Sequence, residues 1–213
     1  MFPNVLKTAT DQDEPLEFKR LRNDFWETNE GATNFLNLIF DATLGAEKVL
    51  AKVVFRSYGK DVHAYLAGQG MAPQLHGTFS VQDCASLVVM QFLEDGWMTL
   101  FHYRHNVYRQ GIPEPHRNKL LGRLEQILKC LSAVGMVHGD FRMANVMLKK
   151  GEEEKAMLID FDWAGGAGKV RYPVTRSRGF LYPGSPGGPI EATHDRELYE
   201  TWRSEIMTNG CIS

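Results

Sequence analysis

Two stretches of the chain show paired apolar runs of the kind that form β-hairpins. Residues 35–43 and 48–55 are rich in large and β-branched apolar side chains, with a turn at residues 44–47 between them. Residues 146–148 and 156–159 are shorter apolar runs separated by a charged, glycine-containing stretch. Both patterns predict hairpins. If the second hairpin pairs symmetrically about its turn, the residues at its open end, Asn145 and Asp160, lie opposite each other.

Helical spacing of apolar residues is clearest in the stretch after Pro115. Six residues form one stripe there, and Gly135 is well placed to end the helix. A shorter helix is predicted over residues 58–68, ending at Gly68 or Gly70. The long stripe consists of Leu120, Leu121, Leu124, Ile127, Leu128 and Leu131, and the apolar face of the shorter helix of Val62, Tyr65 and Leu66.

Weaker patterns complete the set of predicted elements. Residues 97–109 and 194–202 are interpreted as helices, and 87–93 as a buried strand that stops at a Glu-Asp-Gly turn. Residues 1–33 are polar and weakly patterned, which suggests an N-terminal arm. Within it, Phe18, Leu21 and Phe25 fall on one face of a possible short helix.

Composition and charge narrow the function classes. The 213 residues carry a net charge of −2 with acids and bases interspersed, which argues against nucleic acid or an anionic membrane as the main partner. The three cysteines, Cys84, Cys130 and Cys211, are far apart and without a CxxC spacing, which favours free thiols in a reducing compartment. Because no leader or membrane-spanning pattern is visible, we expect a cytoplasmic or nuclear location.

Three polar residues near the second hairpin are candidates for chemistry. An Asp carboxylate and an Asn carbonyl suit the octahedral oxygen ligation of Mg²⁺, so Asn145 and Asp160 are predicted to hold a metal. Asp140, on the same loop as Asn145, is then available to accept or orient the proton of a substrate hydroxyl. His138 is predicted to be structural, packing against Phe161 and hydrogen-bonding the backbone.

The order and spacing of these residues resemble two motifs of the protein-kinase-like superfamily. His138-Gly139-Asp140-Phe141-Arg142-Met143-Ala144-Asn145 looks like its catalytic loop, and Asp160-Phe161-Asp162 looks like its metal-binding triplet. The resemblance implies an α+β, two-lobed fold with a small antiparallel β lobe and a mostly helical lobe. It places the small, nucleotide-binding lobe at residues 34–93 and the large, catalytic lobe at 94–213. The cofactors implied are ATP and Mg²⁺.

The same resemblance suggests further nucleotide-binding residues. Lys52, which taken alone fits an edge lysine reaching water, matches the strand lysine that contacts the α- and β-phosphates. Asp61 is the nearest acid to pair with that lysine, and a solvated surface role is an equal alternative. Met90, with the backbone of Gln91 and Leu93, would flank the adenine, although a plain core strand predicts the same residues.

Departures from the family bear on activity and substrate. No GxGxxG motif precedes the first hairpin, and Gly139 replaces an arginine that in many protein kinases grips a phosphorylated loop. Asp162 replaces the glycine of Asp-Phe-Gly, which is similar to aminoglycoside, choline and lipopolysaccharide kinases and to a group of fungal kinase-like proteins. Arg142 stands where protein kinases often have a lysine, and is predicted to stabilise the γ-phosphate.

For two other features of the C-terminal part, the sequence is consistent with either a functional site or a purely structural role. The basic residues of the Gly/Pro-rich segment form either a rim for an anionic substrate or a solvated loop: Lys169, Arg171, Arg176 and Arg178. Asp195 either anchors the backbone of the catalytic loop or caps the last helix.

The leading hypothesis is therefore an ATP- and Mg²⁺-dependent phosphotransferase acting on a hydroxyl of a protein or small molecule. Asp140 is its predicted base, and Arg142 assists. A catalytically silent, kinase-like binding module is the main alternative. A metal hydrolase using His138, Asp140 and Asp160 is a third, weakened because no HxH or HExxH motif accompanies these residues. The pattern does not indicate an oligomeric state.

Overall fold

The structure is a computed structural model that describes residues 5–7, 13–22, 38–55, 57–81, 85–175 and 180–207. The chain divides into two units. The first comprises Met1–Tyr58 and Pro73–Leu93, and the second comprises Gly59–Ala72 and Glu94–Ser213. None of the helices within the described ranges is long and apolar enough to cross a membrane.

An antiparallel sheet of six strands forms the first unit. The strands lie side by side in the order β1-β2-β3-β4-β6-β5. The predicted hairpin at residues 35–55 is confirmed over its described part, because β3 and β4 pair directly across the turn at residues 45 and 46. In chain order the strands are β1 (Val5–Lys7), β2 (Asp13–Leu21), β3 (Leu38–Leu44), β4 (Glu47–Val54), β5 (Leu75–Val81) and β6 (Ala85–Gln91).

The two faces of this sheet bury different side chains because neighbouring residues of a strand point to opposite faces. One face carries a core cluster that includes Leu16, Val49, Ala51 and Leu87. The other carries a smaller cluster of Val54, Val88 and Met90, against which Leu50 packs. Alternation along β4 places Lys52 on this second face, where only 5% of the residue is exposed.

The helix expected around Phe18 and Leu21 is wrong. Both residues belong to β2, and Phe18 pairs with Ala42 of β3 and packs edge-on against Phe40. An irregularity between Phe18 and Arg20 shifts the register by one residue. This bulge interrupts the period-two alternation of β2. Phe25 and Trp26 lie outside the described residues.

The second unit is mostly helical, with two small sheets. Strand order is β10-β9-β7 in one sheet and β11-β8 in the other. A π-helical turn, Tyr103–Val107, follows α2, and 3-10 turns occupy Met143–Asn145 and Glu153–Lys155. The elements are α1 (Lys60–Gly68), β7 (Trp97–Thr99), α2 (Leu100–His102), α3 (Glu114–Ala133), β8 (Met136–Val137), β9 (Val146–Lys149), β10 (Met157–Leu158), β11 (Gly165–Gly166) and α4 (His194–Met207).

The long helix α3 is confirmed. Five of its six stripe residues are buried and Leu121 is half-buried. Gly135, with a φ of 65°, follows the helix in the left-handed conformation that suits a glycine after a helix end. Its N–H donates to the carbonyl of Ser132 at 3.2 Å. The chain therefore turns sharply at Gly135 and enters β8, which leads to His138.

Two expectations about the second unit need correction. Residues 97–99 are not helical, because Trp97–Thr99 pairs with β9 and Thr99 then caps α2 by accepting the N–H of His102 at 3.1 Å. The predicted register of the second hairpin is also wrong by one residue. Val146 pairs with Leu158 and the Ile159 N–H donates to the Asn145 carbonyl at 3.0 Å, so Asn145 faces Ile159.

The helix α1 belongs to the second unit, whereas the sequence analysis placed it in the small lobe. Its first-turn neighbour Gly59 donates its N–H to the carbonyl of Phe161 at 2.9 Å. Tyr65 reaches the Cys130 carbonyl of α3 at 3.5 Å. Val62, His63 and Leu66 are buried. Contacts with α3 and with the loop after β10 therefore account for its placement.

Candidate active site

The first turn of α4 accepts hydrogen bonds from the backbone of the loop between β8 and β9. The N–H groups of His138 and Gly139 donate to the two carboxylate oxygens of Asp195 at 2.6 and 2.8 Å. Burial raises the pKa of Asp195, which outweighs the lowering by His138 and by these donors. Of the two roles left open for Asp195, the structure thus shows that it anchors the loop.

Gly139 is required by the shape of this loop. Its φ is +80°, a conformation that side chains disfavour, and a Cβ atom would lie 2.8 Å from Cδ1 of Ile190 and 3.0 Å from the carbonyl oxygen of Trp163. An arginine at this position would need both neighbours to move. A glycine at position 139 therefore has a packing cause in this chain.

A second contact from α4 supports the loop at Phe141. The indole N–H of Trp202 donates to the Phe141 carbonyl at 2.9 Å. The two rings are parallel, with centroids 6.0 Å apart, and Tyr199 meets Phe141 edge-on. Phe141 itself is fully buried. The backbone on both sides of Asp140 is therefore fixed to one helix.

His138 joins the loop to the residues after β10, as predicted. Its Nε2 lies 3.0 Å from the Ile159 carbonyl, and its Nδ1 lies 3.3 Å from the Asp140 N–H. These partners require a proton on Nε2 and a lone pair on Nδ1. The ring also meets Phe161 edge-on at a centroid distance of 5.1 Å. The structural role predicted for His138 is confirmed.

Phe161 is also covered by a residue that the sequence analysis missed. His63 of α1 is fully buried and stacks on Phe161 with centroids 4.4 Å apart and planes 8° apart. The available signal was its position beside Val62 on the apolar face of α1. A histidine at such a position is consistent with either a core or a surface role, so spacing alone did not identify the contact.

Asp140 lies at the centre of a hydrogen-bond network and is 4% exposed. Arg142 approaches both carboxylate oxygens: Nη2 donates to Oδ2 at 2.6 Å, and Nε lies 2.6 Å from Oδ1. The amide of Asn145 donates to Oδ2 at 2.8 Å, and the hydroxyl of Tyr182 donates to Oδ1 at 3.1 Å. Three of the predicted residues are therefore brought together, with Tyr182 as an addition that the sequence did not indicate.

Neighbouring groups stabilise the charged form of the Arg142 guanidinium. Burial of the guanidinium lowers the pKa of Arg142, but the Asp140 carboxylate, helped by Tyr182 and Asp160, raises the pKa above its ordinary value overall. The guanidinium also lies over the ring of Phe180, 5.4 Å from its centroid. Its hydrogen bond to Oδ2 and the close ion-pair contact of Nε with Oδ1 fix the orientation of the Asp140 carboxylate.

The two predicted metal ligands lie on adjacent parts of the second unit. The Nδ2 of Asn145 donates to the backbone carbonyl as well as to the carboxylate of Asp140, at 2.9 and 2.8 Å. Both donors are thus used, which turns the Oδ1 oxygen of the amide away from Asp140. Asp160 is half-buried, and its φ of 66° makes it the one residue other than glycine with a positive φ in the described part of the chain. Such a conformation is costly and is often found at functional sites.

A buried carboxylate supports the hairpin that carries these residues. Glu153, in the connection between β9 and β10, accepts from the Tyr103 hydroxyl at 2.5 Å and from the Gly151 N–H at 2.8 Å, and lies 2.9 Å from Nδ1 of His116. Burial raises the pKa of Glu153, but these donors lower it more, to about 2. These contacts hold Glu153 and the 3-10 turn around it in the connection between the two strands.

The remaining predicted site residues lie elsewhere. Lys52 and Met90 are buried in the sheet of the first unit, and Gln91 and Leu93 are half-buried at and after the end of β6. The Gln91 N–H donates to the Gln74 carbonyl at 2.8 Å. Asp61 is exposed in the first turn of α1. Within the described ranges, no group of three or more His, Cys, Asp and Glu residues is placed to hold a metal ion.

Comparison with known proteins identifies the fold. The structure of the Cydia pomonella granulovirus kinase PK-1 superposes with a TM-score of 0.69, covering 92% of this chain and 71% of that one. The chain has a kinase-like fold. The two sequences are 16% identical, so the likeness concerns architecture. No protein-family model matches the sequence, and no curated protein is significantly similar to it.

Within this kinase-like fold the α+β class predicted from the sequence is confirmed. The antiparallel sheet corresponds to the predicted β lobe and the second unit to the predicted helical lobe. A strand, β2, precedes the predicted first hairpin and pairs with β3. Part of the segment described from sequence as an N-terminal arm is therefore a strand of the sheet.

Proposed function

We propose that the protein is an ATP- and Mg²⁺-dependent phosphotransferase that transfers the γ-phosphoryl group to a hydroxyl. The observation that carries the proposal is the buried Asp140 carboxylate, oriented by Arg142 and Asn145 on a loop whose backbone is fixed by α4. Phosphoryl transfer depends mainly on positioning and charge stabilisation, which such a rigid arrangement supplies.

Asp140 is proposed to hold the acceptor hydroxyl and take its proton late in the transfer. A carboxylate paired with a guanidinium remains an acceptor, which suits orienting an O–H toward phosphorus. Arg142, predicted from sequence to contact the γ-phosphate, donates one hydrogen bond to Asp140 and forms a second ion-pair contact with it at 2.6 Å. We therefore propose that its main role is to position Asp140, and that N–H groups not used in this pairing can face the transferred phosphate.

The donor set fits Mg²⁺. An amide oxygen on Asn145 and a carboxylate on Asp160 are hard oxygen ligands of the kind that Mg²⁺ takes together with phosphate oxygens and water. Bound there, the ion would neutralise charge on the phosphates. The hydrogen bonds from Nδ2 of Asn145 to Asp140 support this role, because they hold the amide with Oδ1 facing away from the carboxylate.

The first unit is proposed to supply the remaining nucleotide contacts. Lys52, on a rigid strand, would contact the α- and β-phosphates, and Met90 would flank the adenine. The Gln91 N–H is bonded to the Gln74 carbonyl, and we propose that the Gln91 carbonyl and the backbone of Leu93 contact the adenine edge. Asp61, exposed on α1, is proposed to be a solvated acid, the second of the two roles left open for it.

A silent binding module is the second candidate. It is favoured by the absence of a GxGxxG motif from the sequence and by the number of internal partners that Asp140 already has. A thermal-shift titration with ATP, with and without Mg²⁺, separates the two: an enzyme shows a stabilisation that grows with Mg²⁺, and a silent module shows none.

Phosphotransfer is tested by a screen with ATP and Mg²⁺ across protein, sugar, choline and aminoglycoside acceptors. We expect product with at least one acceptor in the wild type and none above background in Asp140→Asn. The exposed Asp95 provides the matched control, since Asp95→Asn makes the same chemical change away from the loop. Equal product formation in the wild type and Asp140→Asn would contradict the proposal.

A further inference from the structure

Both oxygens of the Asp140 carboxylate have close partners from within the chain. A carboxylate offers about four lone-pair positions. Oδ1 accepts from the hydroxyl of Tyr182, and the Nε of Arg142 lies beside it at 2.6 Å in an ion pair that lacks hydrogen-bond geometry. Oδ2 accepts from Nη2 of Arg142 and from Nδ2 of Asn145. An acceptor hydroxyl that binds to Asp140 must therefore displace one of these four neighbouring groups.

Tyr182 is the donor that yields most readily. Arg142 is charged, donates to Oδ2 at 2.6 Å and has its Nε 2.6 Å from Oδ1, and charge-assisted pairs are the stronger ones. Asn145 donates at 2.8 Å and is held a second time by the Asp140 carbonyl. Tyr182 contributes one neutral hydroxyl at 3.1 Å. The position of its oxygen is thus the one that an incoming hydroxyl would take.

The surroundings of the Tyr182 ring are aromatic. Its centroid lies 5.3 Å from that of Trp163 and 5.7 Å from that of Tyr172. Tyr172 is fixed, because it is 2% exposed, packs with Val137 and Ile190, and donates its N–H to the Gly188 carbonyl at 2.9 Å. If Tyr182 left, Tyr172 and Trp163 would remain as the walls of the vacated space.

Tyr182 itself lies on a surface segment. The ring of Phe180 packs against that of Tyr182 at 4.9 Å, and Leu181 between them is 89% exposed. Displacement of Tyr182 therefore loses its ring contacts, its packing against the cluster of Val137, Tyr172 and Ile190, and its hydrogen bond to Asp140. An acceptor that brings its own ring restores the contacts with Trp163 and Tyr172, and an aliphatic alcohol does not.

We infer that Tyr182 is an internal occupant of the acceptor site and that the acceptor is a phenolic hydroxyl, such as that of a tyrosine side chain. The inference rests on the proposed phosphotransferase function. In the transfer, the phenolic oxygen forms a bond to the γ-phosphorus of ATP while the bond from that phosphorus to the β,γ-bridging oxygen breaks. ADP leaves, and the phenolic proton passes to Asp140.

Two small probes that differ in the group bearing the hydroxyl test the acceptor class. The full-length protein is incubated with ATP, Mg²⁺ and either N-acetyltyrosinamide or N-acetylserinamide. We expect phosphorylation of the tyrosine probe at least tenfold faster. Equal rates with the two probes, or faster transfer to the serine probe, would overturn the inference while leaving phosphotransfer intact.

The occupancy by Tyr182 is tested with Tyr182→Phe, which removes the hydroxyl and keeps the ring, and Tyr182→Ala, which opens the space. Both are expected to lower KM for the tyrosine probe at least threefold, with KM for ATP unchanged. Tyr65→Phe is the matched control, since its hydroxyl contacts Cys130 instead. An unchanged KM for the tyrosine probe in both variants would overturn the inference.

Direct binding of N-acetyltyrosinamide, followed by NMR, provides a readout that does not need turnover. Tighter binding to Tyr182→Ala than to the wild type supports the internal occupant, and equal or weaker binding contradicts it. If ATP binds in none of these proteins and nothing is phosphorylated, the proposed function fails, and the inference fails with it. Turnover with unchanged probe binding overturns the inference alone.

Discussion

His63 of α1 lies flat on Phe161, with ring centroids 4.4 Å apart and planes 8° apart. The contact places a buried histidine next to the residue that follows Asp160. Together with the hydrogen bond from the Gly59 N–H to the Phe161 carbonyl, it attaches the start of α1 to the loop after β10. The conformation of that loop thus depends on α1 as well as on His138.

We predict that His63→Ala lowers the free energy of unfolding by about 2–4 kcal/mol, in the range of large-to-small changes at buried sites. His63→Phe keeps a ring on Phe161 and is expected to lose less than half as much. Urea unfolding followed by circular dichroism measures both. Equal losses in the two variants would show that ring stacking is not what stabilises this contact.

The anchor at Asp195 makes a second prediction. Asp195→Ala leaves the N–H groups of His138 and Gly139 buried without their acceptor, at a cost of about 1–3 kcal/mol for each unsatisfied donor. Asp195→Asn keeps one acceptor oxygen and is expected to be intermediate. Hydrogen exchange of these two amides should accelerate in both variants. The exposed Glu197 on the same helix is the control, and Glu197→Gln should leave the exchange unchanged.

The buried Glu153 makes the free energy of unfolding depend on pH. Its pKa is lowered from the ordinary 4.5 to about 2, so the unfolded chain takes up the proton first as the pH falls. The stabilisation is therefore complete above about pH 4.5 and is lost as the pH falls toward 2. The full shift corresponds to roughly 3 kcal/mol at 1.36 kcal/mol per pKa unit.

Unfolding midpoints in urea between pH 5 and pH 2 test this dependence. We predict a steep loss in the wild type and a flatter curve in Glu153→Gln, which cannot titrate at this position. Glu154, an exposed neighbour, gives the matched variant, and Glu154→Gln should follow the wild-type curve more closely. A wild-type slope that Glu153→Gln reproduces would exclude Glu153 as its origin.

Replacing Arg142 by lysine tests how much the geometry of its contact with Asp140 matters, because the positive charge is kept. Arg142→Lys keeps one positive charge but loses the two-point contact of the planar guanidinium with Asp140. If orientation of the carboxylate matters, kcat should fall about 10–100-fold with KM for ATP little changed, since misplacement of a catalytic group is costly. Steady-state kinetics of both proteins measure kcat and KM for ATP. Full kcat in Arg142→Lys would mean that charge alone is sufficient.

Regular elements and the loop at residues 138–145 were predictable from the sequence for physical reasons. The stripe on α3 and the glycine after it specify a helix with one buried face, and the loop residues 138–145 follow a recognisable spacing. The contact between His138 and Phe161 could be predicted because the two residues belong to the two motifs that the sequence analysis had already paired.

Other features depend on contacts between residues far apart in the chain. A bulge in β2 shifts its register with β3 by one residue, and β9 pairs with β10 one residue away from the predicted register; alternation of apolar residues encodes neither. Tyr182 lies in a Gly/Pro-rich segment without periodicity, 42 positions from Asp140, so only the folded chain shows their hydrogen bond. His63 was missed for the same reason.

The central claim is that Asp140 serves phosphoryl transfer from ATP. The most direct measurement is the initial rate of transfer from γ-labelled ATP, in the presence of Mg²⁺, by the wild type and by Asp140→Asn at equal folded concentration. The account predicts a rate lower by about 10²–10⁴-fold in Asp140→Asn, the usual contribution of a positioned acid or base. Equal rates in the two proteins would contradict it.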